Sequence, residues 1–325
     1  MRVGVIGVGA MGANHARVYS EIAELIGVAD PDAAAGGAVS NRFNASFFPN
    51  YRSLLREPLD AVSVCVPTTH HTEVAMDVIR AGIPLLVEKP LASSVEEAQK
   101  VVDAAKAAGL TLAVGHVERH NPVVAVAKRG LDAGDYGELI TLAARRVSSF
   151  PTRIRDVGVV MDLGVHDIDI LRYLVASPVE SVYTLSGRRM HERFEDHANL
   201  LLRFRNGVHG FVEVNWLTPM KVRRLSLTCL KNFVEVDYTD QTITVSSSTL
   251  GPLDASNLYR VPLEHHAQRI QVRKEEPLRL ELQDFLASIR EKRPPLVPGE
   301  DAVETLRVTE AAIESHKQGR VVSVA

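Results

Sequence analysis

The 325-residue sequence contains two cysteines, has a small net charge and lacks long apolar runs. The two cysteines, Cys65 and Cys229, give neither a disulfide framework nor a metal site, and their apolar surroundings favour buried free thiols. A net charge of −3 provides no basic excess for nucleic acid. No apolar run approaches the roughly 20 residues of a membrane span. Arg2 leads directly into a strand-like run, so no signal peptide is expected. These absences favour a cytoplasmic globular protein.

The first twelve residues, MRVGVIGVGAMG, contain the most informative motif. Arg2–Ile6 is apolar and β-branched, which predicts a buried strand, and the residues after Gly12 can form a helix. Between them lies G-x-G-x-x-G, in which the first glycine permits a tight turn, Gly9 lets the backbone approach a pyrophosphate, and Gly12 lets the helix pack on the strand. Cofactor contacts are therefore predicted for Gly7, Gly9, Ala10, Met11 and Gly12.

A second apolar run, Leu25–Ala29, ends in Asp30, 18 residues after Gly12. A carboxylate at this position can accept hydrogen bonds from both hydroxyls of an adenosine ribose. It would also repel a 2′-phosphate, so the sequence favours NAD over NADP.

The first third of the chain alternates strands and helices, which predicts a parallel sheet covered on both faces. The character changes near residue 120 to longer strands with short turns, including a type I′ hairpin at Asn206-Gly207. We expect an α/β protein with a doubly wound, NAD-binding Rossmann domain over residues 1–120. Residues 121–325 should form a substrate-binding and oligomerisation domain, an α+β domain with a large open, mostly antiparallel sheet. In Val208–Leu217 one side is apolar and the other mixed, and we interpret the mixed side as a subunit contact.

Two loops follow predicted strands at the edge where such sheets bind ligands. Lys89 leaves the fifth strand in Glu88-Lys89-Pro90, where an amine can stabilise negative charge on a substrate oxygen. A solvated surface lysine is the alternative. The loop Pro67–His71 follows the fourth strand and is either a nicotinamide contact or a plain connection. Cofactor contacts are predicted here for Pro67, Thr68, His71, Glu88 and Lys89.

A second stretch with candidate catalytic side chains is Asp162–Asp169, DLGVHDID. On a helix, Asp162 and His166 share a face. A histidine can take a hydroxyl proton as hydride leaves the same carbon, and a neighbouring carboxylate can orient it. The alternative is a polar helix start with Asp162 as its N-cap. One histidine with carboxylates and no cysteine gives no tetrahedral set, so no metal is predicted.

Gly115–Pro122 joins the two predicted domains and offers imidazole, guanidinium and amide groups. The alternative is a polar linker in which Asn121 caps the next helix. A group of arginines further on suits either a diphosphate or surface salt bridges, namely Arg145, Arg146, Arg153 and Arg155. Substrate contacts are predicted for Lys89, His116, Arg119, Asn121, Asp162 and His166.

These stretches resemble the glucose-fructose oxidoreductase/inositol dehydrogenase/MocA (Gfo/Idh/MocA) family over essentially the whole chain. The resemblance rests on GVGAMG, Asp30, PTTHH at Pro67–His71, EKPL at Glu88–Leu91 and DLGVHDID. It implies a Rossmann domain, an α/β domain whose open sheet forms dimer or tetramer contacts, and a cis bond before the proline of EKPL. It further implies NAD(P)-dependent chemistry on sugars or cyclitols, with Lys89 and His166 as catalytic groups beside Asp162.

Within the family, GHVERHNP at Gly115–Pro122 is similar to the corresponding stretch of UDP-N-acetylglucosamine 3-dehydrogenases, with His120 where phenylalanine is usual. The predicted function is NAD-dependent oxidation of a sugar hydroxyl, at C3 of UDP-N-acetylglucosamine. A dehydrogenase of a free sugar or cyclitol such as inositol is one alternative, and a non-catalytic NAD-binding regulator is another. A homodimer or homotetramer is expected, without nucleic acid or membrane partners.

Overall fold

The computed structural model describes residues 1–151, 157–250 and 263–324, and the chain divides into two compact units. The first unit contains Met1–His120 and Glu275–Glu310, and the second contains Asn121–Lys274 and Ala311–Ala325. This division differs from a single cut at residue 120 because a late helix returns to the first unit. Its Leu282 and Phe285 are buried in the same apolar core as Val18 and Tyr19 of the first helix.

The first unit is built on a six-stranded parallel sheet with the strand order β3-β2-β1-β4-β5-β6. Its strands are β1 (Arg2–Ile6), β2 (Glu24–Ala29), β3 (Ser46–Phe48), β4 (Ala61–Val64), β5 (Leu85–Glu88) and β6 (Leu112–Gly115). The helices between them are α1 (Ala10–Ile22), α2 (Ala33–Phe43), α3 (Tyr51–Leu54), α4 (His71–Arg80) and α5 (Val95–Ala107). The predicted Rossmann architecture is confirmed. Since the strand order reverses between β1 and β4, a crevice opens at the carboxyl ends of these strands.

Local sequence explains where several of these helices begin. Asp32 accepts hydrogen bonds from the backbone N–H groups of Ala34 and Ala35 and so caps α2. Ser94 caps α5 by accepting from Glu97 N–H. Side-chain oxygens of this kind satisfy backbone donors that the first turn of a helix leaves unpaired.

The second unit contains a nine-stranded sheet in the order β14-β13-β12-β11-β7-β10-β9-β8-β15. The strands are β7 (Leu139–Val147), β8 (Val179–Gly187), β9 (His197–Phe204), β10 (His209–Asn215), β11 (Val222–Cys229), β12 (Phe233–Asp237), β13 (Thr242–Leu250), β14 (Leu263–Ile270) and β15 (Val322–Ser323). All neighbouring pairs are antiparallel except β7 and β10, which pair in parallel. The remaining α-helices of the described residues are α6 (Pro122–Asp132), α7 (Val165–Val175), α8 (Pro277–Glu291) and α9 (Gly299–Gln318). The expected open, mostly antiparallel sheet is confirmed.

Strand β10 shows the predicted difference between its two sides, but the turn before it is not of the predicted type. Val212 and Val214 are buried, whereas Phe211 is exposed. A type I′ turn requires positive φ at both Asn206 and Gly207, and only Gly207 has it, with φ +87°. Gly207 N–H donates to Phe204 carbonyl over 3.0 Å. The type I′ prediction is therefore wrong, since one left-handed glycine after an ordinary turn closes the hairpin.

No helix within the described part of the chain combines the length and the apolar character needed to cross a bilayer.

Candidate functional site

The glycine turn between β1 and α1 has three different local environments. Gly7 has φ +85°, and a Cβ there would lie 2.8 Å from the carbonyl carbon of Cys65. A Cβ on Gly12 would lie 1.8 Å from the carbonyl oxygen of Gly7, so the helix can approach the turn only without a side chain. A Cβ on Gly9 would meet no described atom within 4 Å. The backbone at Gly9 is therefore open to a ligand, whereas Gly7 and Gly12 serve the turn and the packing.

The N-terminus of α1 suits an anion. Gly9 occupies the N-cap position, and no side chain in the described residues caps this helix end. Ala10 and Met11, the first residues of the helix, are exposed. Unpaired backbone N–H groups and the positive end of the helix dipole favour a phosphate at such a position.

Asp30 lies directly after β2 and holds the glycine turn in place. Its Oδ2 accepts a hydrogen bond of 2.8 Å from Val8 N–H, and its Oδ1 accepts one of 2.9 Å from Asp32 N–H. A carboxylate oxygen can accept a second hydrogen bond, so both oxygens retain capacity for a ribose hydroxyl. The arrangement fits an adenine dinucleotide with its pyrophosphate at Gly9.

A cleft of about 760 Å³ lies at the carboxyl ends of β1, β2 and β4. Four of the predicted cofactor residues line it, namely Gly7, Gly9, Asp30 and Pro67. Its other lining residues are Ile6, Ala29, Pro31, Pro49, Asn50, Tyr51, Arg52, Cys65, Val66, His70, Glu73 and Val74. The position of the cleft is that of ligand sites in doubly wound sheets.

One wall of this cleft was missed in the sequence. Asn50, Tyr51 and Arg52 follow β3, whose carboxyl end lies at the same edge as that of β2. Tyr51 donates a hydrogen bond of 2.7 Å to Asp77, and burial together with this carboxylate raises the pKa of Tyr51 to about 12. The Arg52 guanidinium lies 4.9 Å from the centre of the Tyr51 ring. The sequence could have indicated these residues, because they follow the third strand and ligands bind at the carboxyl ends of the strands in such sheets.

Lys89 follows β5 in a tightly held loop. The Lys89–Pro90 peptide bond is cis, as the resemblance implies. Lys89 N–H donates to Glu88 Oε2 over 3.2 Å, and Glu88 Oε1 lies 2.9 Å from His15 Nε2. Lys89 is half-buried and Glu88 is buried. Cofactor contact by either side chain stays a prediction, while the structure shows that Glu88 holds the backbone of Lys89.

His71 connects the loop after β4, which carries Pro67 and Thr68, with the loop after β5, which carries Lys89. Its Nδ1 lies 2.8 Å from the carbonyl oxygen of Pro90, and its Nε2 lies 2.9 Å from that of Val66. The side chain is buried, and this burial lowers the pKa of His71. Thr68 begins a short 3₁₀ turn over Thr68–His70 and is half-buried. Direct cofactor contact by His71 and Thr68 stays a prediction.

In the second unit, Asp162 lies in a π-helical turn over Val160–Gly164 that continues directly into α7. His166 is the second residue of α7, and both side chains are half-buried. The N-cap of α7 is Gly164, so Asp162 does not cap this helix. Single π turns are rare and occur frequently at functional sites.

A buried ion pair fixes the start of α7. Arg146 Nε and Nη2 donate to the two carboxylate oxygens of Asp167 over 2.9 and 3.1 Å, and both side chains are at most 2% exposed. The Arg146 guanidinium also lies 5.4 Å from the centre of the Tyr238 ring. Since breaking a buried pair leaves an uncompensated charge, this contact resists movement of the first turn of α7 and of His166 within it.

The arginine group indicated by the sequence is not assembled in the described residues. Arg145 and Arg146 are adjacent in β7, so they point to opposite faces of the sheet. Arg145 is exposed and paired with Glu213 over 3.0 Å. Arg153 and Arg155 lie outside the described residues.

The three predicted substrate residues after β6 are deeply buried, each 2% exposed: His116, Arg119 and Asn121. Arg119 forms an ion pair with Asp301. Asn121 accepts from Val123 N–H at the start of α6 and donates 3.2 Å to the carbonyl oxygen of Tyr238, so the predicted helix cap is observed. Substrate contact by these residues stays a prediction.

Comparison with protein families accounts for nearly the whole chain. A family model described as "Oxidoreductase family, NAD-binding Rossmann fold" matches residues 1–116. A "GFO/IDH/MocA C-terminal domain" model matches residues 124–243, and an "Oxidoreductase family, C-terminal alpha/beta domain" model matches residues 256–324. The chain belongs to the Gfo/Idh/MocA oxidoreductase family. It is an enzyme, an NAD(P)-dependent dehydrogenase.

Relatives within this family cover the full chain. UDP-N-acetylglucosamine 3-dehydrogenase of Acidithiobacillus ferrooxidans is 30% identical over 97% of this chain and 96% of its own length. The solved structure of that enzyme, GnnA, has a TM-score of 0.87 at 29% identity, covering 98% of this chain and 99% of its own. scyllo-Inositol 2-dehydrogenase (NAD(+)) of Bacillus subtilis is 28% identical over 100% of this chain and 96% of its own length.

A more distant solved structure of the same fold contains bound NAD. GenD2 from gentamicin A biosynthesis, in complex with NAD, has a TM-score of 0.85 at 23% identity, covering 100% of this chain and 96% of that chain. At this identity the likeness shows the fold alone.

Proposed function

We propose that this dehydrogenase uses NAD to oxidise C3 of UDP-N-acetylglucosamine to a ketone. The observation that carries the substrate is the 30% identity to a UDP-N-acetylglucosamine 3-dehydrogenase over 97% of this chain. Oxidation of inositol is the second candidate, supported by 28% identity to a scyllo-inositol 2-dehydrogenase over 100% of this chain. A non-catalytic regulator would need no proton-transfer group, so Lys89, Asp162 and His166 argue against it. A cytoplasmic location stays a prediction of the sequence.

The proposed chemistry divides between three side chains. NAD, when bound, supplies the hydride acceptor. His166 takes the proton of the reacting hydroxyl, Lys89 stabilises negative charge on the same oxygen, and Asp162 orients the imidazole or a neighbouring hydroxyl. The hydrogen bond from Lys89 N–H to Glu88 and the Arg146–Asp167 pair next to His166 support this assignment, because each holds the backbone of a reacting group.

Substrate choice is tested by NAD reduction with UDP-N-acetylglucosamine, N-acetylglucosamine, myo-inositol and scyllo-inositol. We expect kcat/KM for the UDP-sugar to exceed that for each free compound by about tenfold or more, since a site that binds the nucleotide loses those contacts with the free sugar. Product analysis should show a 3-keto sugar. Turnover of inositol without turnover of the UDP-sugar would select the second candidate.

The catalytic assignment is tested with Lys89→Met and His166→Asn. Each should lower kcat by about 10²-fold or more, since each removes a group that acts on the reacting oxygen, with little change in the Kd for NAD. The controls are Lys106→Met and His266→Asn, which change exposed side chains of the same types. Wild-type turnover in either active-site variant removes that residue from the mechanism.

We further propose that the enzyme prefers NAD to NADP because Asp30 lies where a 2′-phosphate would be bound. Asp30→Asn keeps an acceptor for the Val8 N–H group but removes the charge. The ratio of the Kd for NADP to the Kd for NAD, measured by calorimetry, should fall by about tenfold or more, because a charged hydrogen bond contributes roughly 1.5–3 kcal/mol. Glu24→Gln, at the opposite end of β2, should leave the ratio unchanged. A wild-type enzyme that binds NADP as tightly as NAD contradicts the proposal.

We also propose that the outer face of the nine-stranded sheet binds a second copy of the chain. Leu201 is 54% exposed on β9, and it pairs across the sheet with Tyr183 on β8 and with Phe211 on β10. Ion pairs lie on both sides of this apolar row, Arg145–Glu213 on one side and Arg203–Glu180 on the other. An apolar centre with a polar margin is typical of a protein interface.

Analytical ultracentrifugation at micromolar concentration should show a dimer or tetramer. Leu201→Lys with Phe211→Lys should shift it to monomer, because the two lysines would place unpaired charges at the centre of the contact. Leu230→Lys, at an exposed position after β11, is the matched control. A monomeric wild type would exclude this surface as a stable interface.

A further inference from the structure

Three ionisable side chains meet in the core of the first unit, behind the loop that carries Lys89. They are His15 on α1, Glu88 at the end of β5 and Glu281 on α8, and they are 0%, 7% and 2% exposed. One nitrogen or oxygen atom from each lies within 4.8 Å of those of the other two. Such groups are almost never fully buried unless they are paired.

Only two members of this group are joined by a direct hydrogen bond. His15 Nε2 lies 2.9 Å from Glu88 Oε1. Neither carboxyl oxygen of Glu281 has a hydrogen-bond partner among the described residues. An ionised carboxylate in this position would lack both a counter-charge of its own and hydrogen-bond donors, which is among the least favourable states of a buried group.

The charges that act on Glu281 come from two other carboxylates, Glu88 and Asp284. The titratable groups around it are His15 and Tyr19 on α1, Cys65 after β4, Glu88 on β5 and Asp284 on α8. Tyr19 donates or accepts a hydrogen bond of 2.9 Å with Ser63, so it is engaged elsewhere. Burial, followed by the charges of Glu88 and Asp284, raises the pKa of Glu281 well above its usual range.

The pKa of Glu88 shifts in the opposite direction although its side chain is also buried. Burial acts to raise its pKa, but the hydrogen bond and charge of His15, with a further contribution from Lys89, lower it overall. The pKa values of the two neighbouring carboxyl groups thus shift in opposite directions. One group favours the ionised form and the other the neutral acid, as happens when two carboxyl groups share a site.

We propose that Glu281 is a neutral carboxylic acid in the folded enzyme. In this protonation state the cluster of His15, Glu88 and Glu281 positions Lys89. The positioning role rests on the function proposed for Lys89. Ionisation of Glu281 would place a second negative charge next to Glu88 and compete for His15. Because Glu88 Oε2 accepts the Lys89 N–H, a displaced Glu88 would release the backbone that carries the amine.

The protonation of Glu281 is tested by urea unfolding of wild type and Glu281→Gln from about pH 5 to pH 9. Above the ordinary carboxyl range the unfolded chain releases this proton while the folded chain keeps it, so wild-type stability falls as pH rises. Glutamine has the shape of the neutral acid and no proton to lose. The ratio of the variant's folding equilibrium constant to that of wild type should therefore rise by up to about tenfold per pH unit.

Glu291→Gln is the control, since Glu291 is an exposed glutamate on the same helix, and its ratio should stay flat. A flat or falling ratio for Glu281→Gln overturns the proposal. It is also overturned if wild type and Glu291→Gln each bind one equivalent of divalent metal and Glu281→Gln binds none. If the variant does not fold, the protonation of Glu281 is tested by infrared spectroscopy of the wild-type protein at neutral pH. A protonated-carboxyl band that disappears on unfolding supports the neutral acid, and its absence overturns it.

The positioning role has a separate readout in the pH dependence of kcat. In wild type, kcat should fall at alkaline pH as Glu281 ionises, and in Glu281→Gln this limb should move to higher pH by about one unit or more. Glu291→Gln should keep the wild-type profile. Superimposable profiles for Glu281→Gln and wild type overturn the positioning role. If Lys89→Met retains turnover, the function proposed for Lys89 fails, whereas the unfolding series still decides the protonation of Glu281.

Discussion

The close approach of α1 to the end of β1 is the constraint on which the cofactor site depends. It exists because residue 12 has no side chain, since a Cβ there would lie 1.8 Å from the carbonyl oxygen of Gly7. This approach brings the uncapped helix end to the crevice at the switch point of the sheet. The carboxylate of Asp30 then joins the turn to β2 through the Val8 N–H group. The absence of a side chain at Gly12 thus fixes how closely the N-terminus of α1 approaches this crevice.

The two candidate catalytic residues share a second feature, which is that each is next in sequence to a buried, paired carboxylate. Glu88 precedes Lys89 and is paired with His15, and Asp167 follows His166 and is paired with Arg146. In both cases the pair joins the catalytic segment to a different secondary-structure element. The reacting side chain can remain accessible while its backbone is held from behind. The two halves of the proposed mechanism are therefore supported in the same physical way.

Much of the first unit could be predicted from the sequence because its signals are local. The glycine turn, Asp30 and the alternation of strands and helices each depend on residues within one supersecondary unit. The contact between His15 and Glu88 joins residues 73 positions apart, and Glu281 comes from a helix that returns from the far end of the chain. No periodicity or spacing reports such a meeting. Of the two alternatives for the arginines, Arg145 and Arg146 form ion pairs, and the spacing already favoured this outcome because adjacent strand residues face opposite sides.

Buried charge is a costly way to join two elements, because apolar side chains of the same volume are often equally stable there. An ion pair adds a preferred orientation of the two elements that it joins. The Arg146–Asp167 contact is bidentate, so it opposes both sliding and rotation of the first turn of α7, whereas apolar packing tolerates small shifts of either kind. The apolar core of this unit includes Ile168 and Leu171 on the same helix and already supplies cohesion. The charged pair lies one residue from His166, so its restraint acts on the turn of α7 that carries the imidazole.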